Sequence, residues 1–206
     1  WPGPPDPILD GGRFTWEILE KGPETVSVRL TSPVDDRRTG IQFIRTISLQ
    51  QGSSRVISRT TMVNRSNRKV TWSIWEVAQL DVSSTGGKGY NDAVLAYVPV
   101  NPQSVHTGGY AVLYGDPKND AVRVSKGKLF RLKFNYHVGK WGLDSMDGWV
   151  AVVNRRDQTV FTQLFEPSPG ASYPDKASVE FWLNGAGKFV VAGKEFDSPA
   201  DPRKTY

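Results

Sequence analysis

From residue 13 onward, apolar and polar side chains alternate with a period of two, run after run, with turn residues between the runs. That spacing sends successive side chains to opposite faces of an extended backbone and gives a helix no continuous apolar stripe. Residues 25–32 put Val26, Val28 and Leu30 on one face, and 41–49 put Ile41, Phe43, Ile47 and Leu49 together. Runs at 13–20, 55–63 and 69–82 follow the same rule, with Gly22-Pro23, Gln51-Gly52 and Asn64–Asn67 as turns. Short connections between consecutive strands predict an antiparallel meander. Beyond the Gly/Ser-rich stretch Ser83–Asn91, short candidates appear at 93–98, 110–114 and 121–124, then regular runs at 128–137, 148–154, 158–165 and 177–184. No segment carries a helical period. The expected fold is all-β, an antiparallel β-sandwich.

A chain of 206 residues is long enough for one domain with a sizeable core. Residues 1–206 are therefore expected to form a single β-sandwich domain, with 1–10 (four Pro) and the polar 193–206 as irregular extensions. Seven Trp fit either a deep core or an aromatic binding surface. The net charge of +5 raises the question of nucleic acid. Yet Arg37-Arg38, Arg65/Arg68/Lys69 and Arg155-Arg156 are scattered among acids, so no nucleic-acid partner is expected. The absence of Cys excludes disulfides and thiolate metal sites. No apolar run is long enough to span a bilayer, so no membrane insertion is expected. The chain opens at Trp1 without Met, which reads as removal of a preceding segment; the periplasm or cell exterior is the expected compartment.

Several ordered segments resemble an uncharacterised bacterial family of the galactose-mutarotase-like (aldose epimerase-like) superfamily. They are Trp1-Pro2-Gly3-Pro4-Pro5-Asp6-Pro7; Thr31-Ser32-Pro33 followed by Thr39-Gly40-Ile41-Gln42 and Arg45; and Asn64-Arg65-Ser66 before Trp72-Ser73-Ile74-Trp75-Glu76-Val77. Val138-Gly139, Gly148-Trp149-Val150-Ala151 and Pro169–Asp175 leading to Val179-Glu180 complete the set, spread over most of residues 1–184. The resemblance implies a β-supersandwich whose concave face holds sugar, and hence a carbohydrate partner. Epimerases, lyases and glycosidases share such folds, so the resemblance implies a ligand and leaves the reaction open. Complete members run longer than this chain, which implies further strands at both ends.

Epimerisation at an anomeric carbon needs a base and an acid. The mutarotases use a Glu and a His; of the two His here, His106 lies in a loop and His137 ends a run, neither in a matching motif. Glu180 alternates with Ser178, Trp182 and Asn184, a polar and aromatic face suited to stacking and hydrogen-bonding a sugar. Glu76 shares its face with Trp72, Ile74, Ala78 and Leu80, so it is either paired or set in a groove. An enzyme would take Glu180 or Glu76 as base, His137 as acid and Arg45 as sugar clamp. Arg45, between Phe43 and Ile47 on an apolar face, needs a carboxylate partner or a ligand, and a pair with Glu76 serves equally. Its place in the chain is similar to that of the mutarotases' sugar-contacting Arg. Trp75, Gln79, Lys140, Trp141 and Gln163 complete the candidate ligand-binding residues, with core packing the rival role for each Trp. Asp35-Asp36 and Asp144/Asp147 read as turn residues, so neither a metal nor another cofactor is expected. Gly86-Gly87-Lys88-Gly89 precedes no helix and is no phosphate loop. Three readings stand: a sugar-binding domain without turnover, a carbohydrate-active enzyme, and a cell-surface structural or assembly protein.

Overall fold

The computed structural model describes residues 6–82, 91–126, 128–135, 137–185, 187–191 and 193–197. The segments expected at 1–5, 83–90 and 198–206, the Gly86–Gly89 stretch among them, lie outside the described residues. The chain is all-β: apart from two single 3-10 turns, every regular element among the described residues is a strand. No helix among these residues is long and apolar enough to cross a membrane. Two compact units divide the chain, residues 1–77 and 78–206.

The first unit is a four-stranded antiparallel sheet in chain order, β1 (Thr15–Lys21), β2 (Thr25–Thr31), β3 (Ile41–Gln50) and β4 (Val56–Asn64). Its register sets Val26 opposite Leu49 and Leu49 opposite Val56, so the alternation legible in the sequence forms one apolar face. Asp35, fully buried, fastens the β2–β3 connection: its carboxylate accepts from the Thr39 N–H and hydroxyl and from the Arg38 N–H. It is a turn-forming residue, as its position between strands implies. Asp6 accepts from the N–H groups of Ile8 and Leu9 and pairs with Arg38.

Residues 69–82 correct the expectation of a fifth long strand. They form no ladder, and Trp72, Ile74, Trp75, Val77 and Leu80 are exposed. Within the segment, Glu76 accepts from Thr60 Oγ1 of β4 at 2.7 Å and pairs with Arg45 of β3 at 3.3 Å.

The second unit is a β-sandwich. One sheet has the order β11 (Thr159–Leu164), β10 (Trp149–Asn154), β5 (Val94–Pro99), β8 (Leu129–Lys133), β7 (Val122–Ser125). The other has the order β12 (Val179–Leu183), β9 (Gly139–Leu143), β6 (Ala111–Gly115). Val98, Phe130 and Leu132 from the first sheet meet Trp141, Leu143 and Val179 from the second in one buried cluster. Phe130 stacks on Phe181 (centroids 5.9 Å, 9° between planes) and takes the edge of Tyr110. A separate hairpin, β13 (Lys188–Val191) with β14 (Lys194–Asp197), falls partly in the stretch expected to be irregular.

Strand β9 was hidden in the sequence because Gly-Lys-Trp-Gly-Leu does not alternate; it is buried on both faces in the middle of its sheet. Its glycines permit close packing. A Cβ at Gly139 would stand 2.2 Å from the Trp141 ring, and one at Gly142 would stand 2.9 Å from Ala177 Cβ.

A charged cluster beside an exposed tryptophan

Alternation along β12 turns Val179, Phe181 and Leu183 to the core and Glu180 and Trp182 to the opposite face. On β9 the same rule turns Trp141 inward and Lys140 outward. The register puts Trp182 opposite Lys140, Lys140 opposite Tyr114, and Glu180 opposite side-chain-free Gly142. Glu180 and Lys140 are thus diagonal cross-strand neighbours, and their charges meet at 2.8 Å. Both are largely buried, with side chains 15% and 9% exposed. Lys140 Nζ lies 5.6 Å from the Tyr114 ring centroid, and Tyr114 packs edge-to-face with Trp182 at 5.9 Å. Trp182 keeps 44% of its surface open, its Nε1 donating to Asn184 Oδ1.

A second carboxylate joins the pair. Asp175 Oδ2 stands 3.6 Å from Lys140 Nζ. Asp175 and Lys176 both hold left-handed backbone, φ 54° and 55°, which is strained for residues with a Cβ. Local bonds hold this turn. The Ala177 N–H donates to the Pro174 carbonyl, the Ser168 N–H to the Tyr173 hydroxyl, and His106 Nε2 to the Lys176 carbonyl at 3.0 Å. A carbonyl only accepts, so His106 carries its proton on Nε2. Burial pushes the Glu180 carboxyl above its ordinary value; the Asp175 carboxylate adds to the rise and Lys140 opposes it. The cluster therefore contains a carboxyl that holds its proton more tightly than usual, a buried ammonium, a second carboxylate and an open indole. Strain, burial and a perturbed carboxyl in one place are marks of a functional site.

The other expected site residues are dispersed. Trp141, expected among the ligand-binding residues, is 1% exposed in the sandwich core and cannot stack on a ligand; strand parity turns it away from its neighbour Lys140. His137 is exposed, and its N–H faces the Asn135 side chain at 3.4 Å. Among the described residues no hydrogen bond or ion pair joins His137 to Glu180 or Glu76. Arg45 and Glu76 form a 3.3 Å ion pair in the first unit, each about two-fifths exposed, with Thr60 bonded to both. Trp75 and Gln79 are exposed on the ladder-free segment 69–82, and Gln163 is half-buried on edge strand β11. Lys140 and Glu180 are the two candidates brought together in the second unit. Asp175 and Tyr114 were missed. Asp175 lies in a turn, where no strand parity assigns it a face, and Tyr114 follows a register shift in β6 that strand parity alone does not reveal. Asp144, read as a turn residue, accepts from Ser104 Oγ and the Val105 N–H. No group of His, Asp or Glu among the described residues is arranged to hold a metal ion.

Two shallow hollows, of about 220 and 240 Å³, belong to the first unit; Trp16 and Arg29 line one, Arg38 and Trp72 the other. The charged cluster on β12 and β9 is instead a face beside an aromatic ring. No protein-family model, no curated protein and no solved structure matches this chain.

Proposed function

We propose that the chain binds carbohydrate on the outward face of the β12-β9-β6 sheet, as a sugar-recognising β-sandwich domain. The observation that carries the reading is the open Trp182 ring beside the buried Lys140–Glu180 pair. An indole face covers the C–H face of a pyranose, while a carboxyl, a carboxylate and an ammonium exchange hydrogen bonds with its hydroxyls. The Glu180 and Asp175 carboxyl groups accept from hydroxyls while the Lys140 ammonium donates to them, and alternating hydroxyls require both. The resemblance to the galactose-mutarotase-like superfamily supports the same ligand class.

The test is a glycan array followed by calorimetry on the purified chain, with Trp182→Ala and Glu180→Gln. Binding of a defined neutral glycan that Trp182→Ala abolishes is the expected result. A folded sample that binds no glycan, or binding indifferent to both substitutions, sinks the proposal.

A second reading, turnover of the bound sugar, draws on the raised Glu180 carboxyl, which is suited to general acid catalysis. It predicts that Glu180→Gln keeps binding and loses product formation. Equal turnover by the wild type and the variant removes it.

A further inference from the structure

The β7–β8 hairpin carries a concentration of positive charge that the sandwich itself does not use. Arg123, Lys126, Lys128, Arg131 and Lys133 fall within it, and no Asp or Glu occurs between Asp120 and Asp144. Among the described residues none of these five has an acidic partner. The register sets Arg123 directly opposite Arg131, and Arg131 opposite Tyr97 on β5. Strand parity places Val122, Val124, Phe130 and Leu132 toward the core, so Arg123, Arg131, Lys133 and Tyr97 share the outer face. Like charges directly opposite on a sheet destabilise it. The Arg131 Nε is moreover buried with no hydrogen-bond partner, a donor lacking its acceptor.

Basic residues on an edge strand have a plainer use, keeping the edge from pairing with other chains. That accounts for Arg123 on β7, which ends its sheet. It does not account for Arg131 and Lys133, since β8 is paired on both sides by β5 and β7 and has no edge to protect.

We infer that this hairpin is a second subsite, which takes the carboxylate or sulfate groups of an anionic polysaccharide. The inference rests on the carbohydrate reading for the choice of polymer, and on the hairpin alone for the choice of charge. A guanidinium fork offers two parallel N–H donors to two oxygens of a carboxylate or sulfate group, and a bound anion relieves the repulsion between the opposed arginines. Tyr97, beside Arg131, offers a ring to the adjoining sugar. Lys126 and Lys128 at the turn extend the positive surface to a polymer longer than one residue.

The experiment measures affinity of the whole chain for a polyuronate, a sulfated glycosaminoglycan, a neutral glucan and duplex DNA over a series of salt concentrations. The triple variant Arg123→Ala/Lys126→Ala/Lys128→Ala alters exposed side chains only, and Arg131→Ala tests the half-buried one. A control, Lys21→Ala/Arg55→Ala, removes exposed charge from the first unit. Binding of either anionic polysaccharide, weakened roughly tenfold or more by the triple variant and with a shallower salt dependence, supports the subsite. A thermal melt unchanged from wild type in the triple variant ties that loss to the site. No anionic glycan bound at low salt, equal binding by the triple variant, an equal loss in the control, or tighter binding of DNA would each overturn it. Binding of a neutral glycan lost in Trp182→Ala but kept in the triple variant judges the Trp182 face separately, so the two proposals fail independently.

Discussion

Glu180 is held in a surrounding that favours its neutral form, and this has a consequence for stability. Its carboxyl titrates above its ordinary value of 4.5, first because burial penalises the charge. The folded state thus keeps a proton that the unfolded chain releases. The associated stabilisation is fully present below the unfolded value and is lost as pH rises through the folded one. Glu180→Gln removes this titration. Melting temperatures of both proteins between pH 4 and 7 should show the variant gaining on wild type as pH rises; parallel curves would refute the assignment. Asp35 matters through its hydrogen bonds, its buried carboxylate accepting from two N–H groups and a hydroxyl. Asp35→Ala leaves those donors without an acceptor, an expected loss of about 2–4 kcal/mol by chemical denaturation.

At the scale of elements, β9 and the segment 69–82 make opposite points. The first has no strand pattern and is the central strand of its sheet; the second has a strong pattern and no ladder. Alternation records a backbone with two unlike faces, and it is silent about what lies along the backbone's edge. Pairing is non-local, so a ladder-free segment and a fully buried strand both escape a reading that sees only neighbours in sequence. Amide hydrogen exchange checks the segment: residues 70–82 should exchange far faster than the amides of β3, and equal protection would contradict the ladder-free description. In β9, Gly142→Ala forces a methyl against Ala177 and Leu113. A loss of about 1–3 kcal/mol is expected, read as a lower denaturation midpoint.

Across the whole molecule, the Trp residues sort by environment in a way composition could not announce. Trp141 sits in the sandwich core, whereas Trp182, on the adjacent strand, opens to solvent. Trp141→Ala should cost about 3–5 kcal/mol. Trp182→Ala, at a surface position, should cost about 1 kcal/mol or less and act on glycan binding instead. Comparable destabilisation by the two would mean that Trp182 is a packing residue. The basic residues sort likewise. The chain's basic residues read as scattered, yet five fall within residues 123–133, and pairing of β7 with β8 is what sets Arg123 directly opposite Arg131.

The all-β class was legible from the sequence, because period-two alternation and turn chemistry are local properties of the backbone. So was Glu180 as a residue on a polar and aromatic face, since strand parity alone places it with Trp182. Pairing order was not legible. Neither was the burial of Trp141, the union of Lys140 with Asp175 across a strained turn, nor the hairpin's opposed arginines. Each depends on which strand lies beside which, and that is set by the summed burial of side chains distant in the chain, a quantity no local pattern contains.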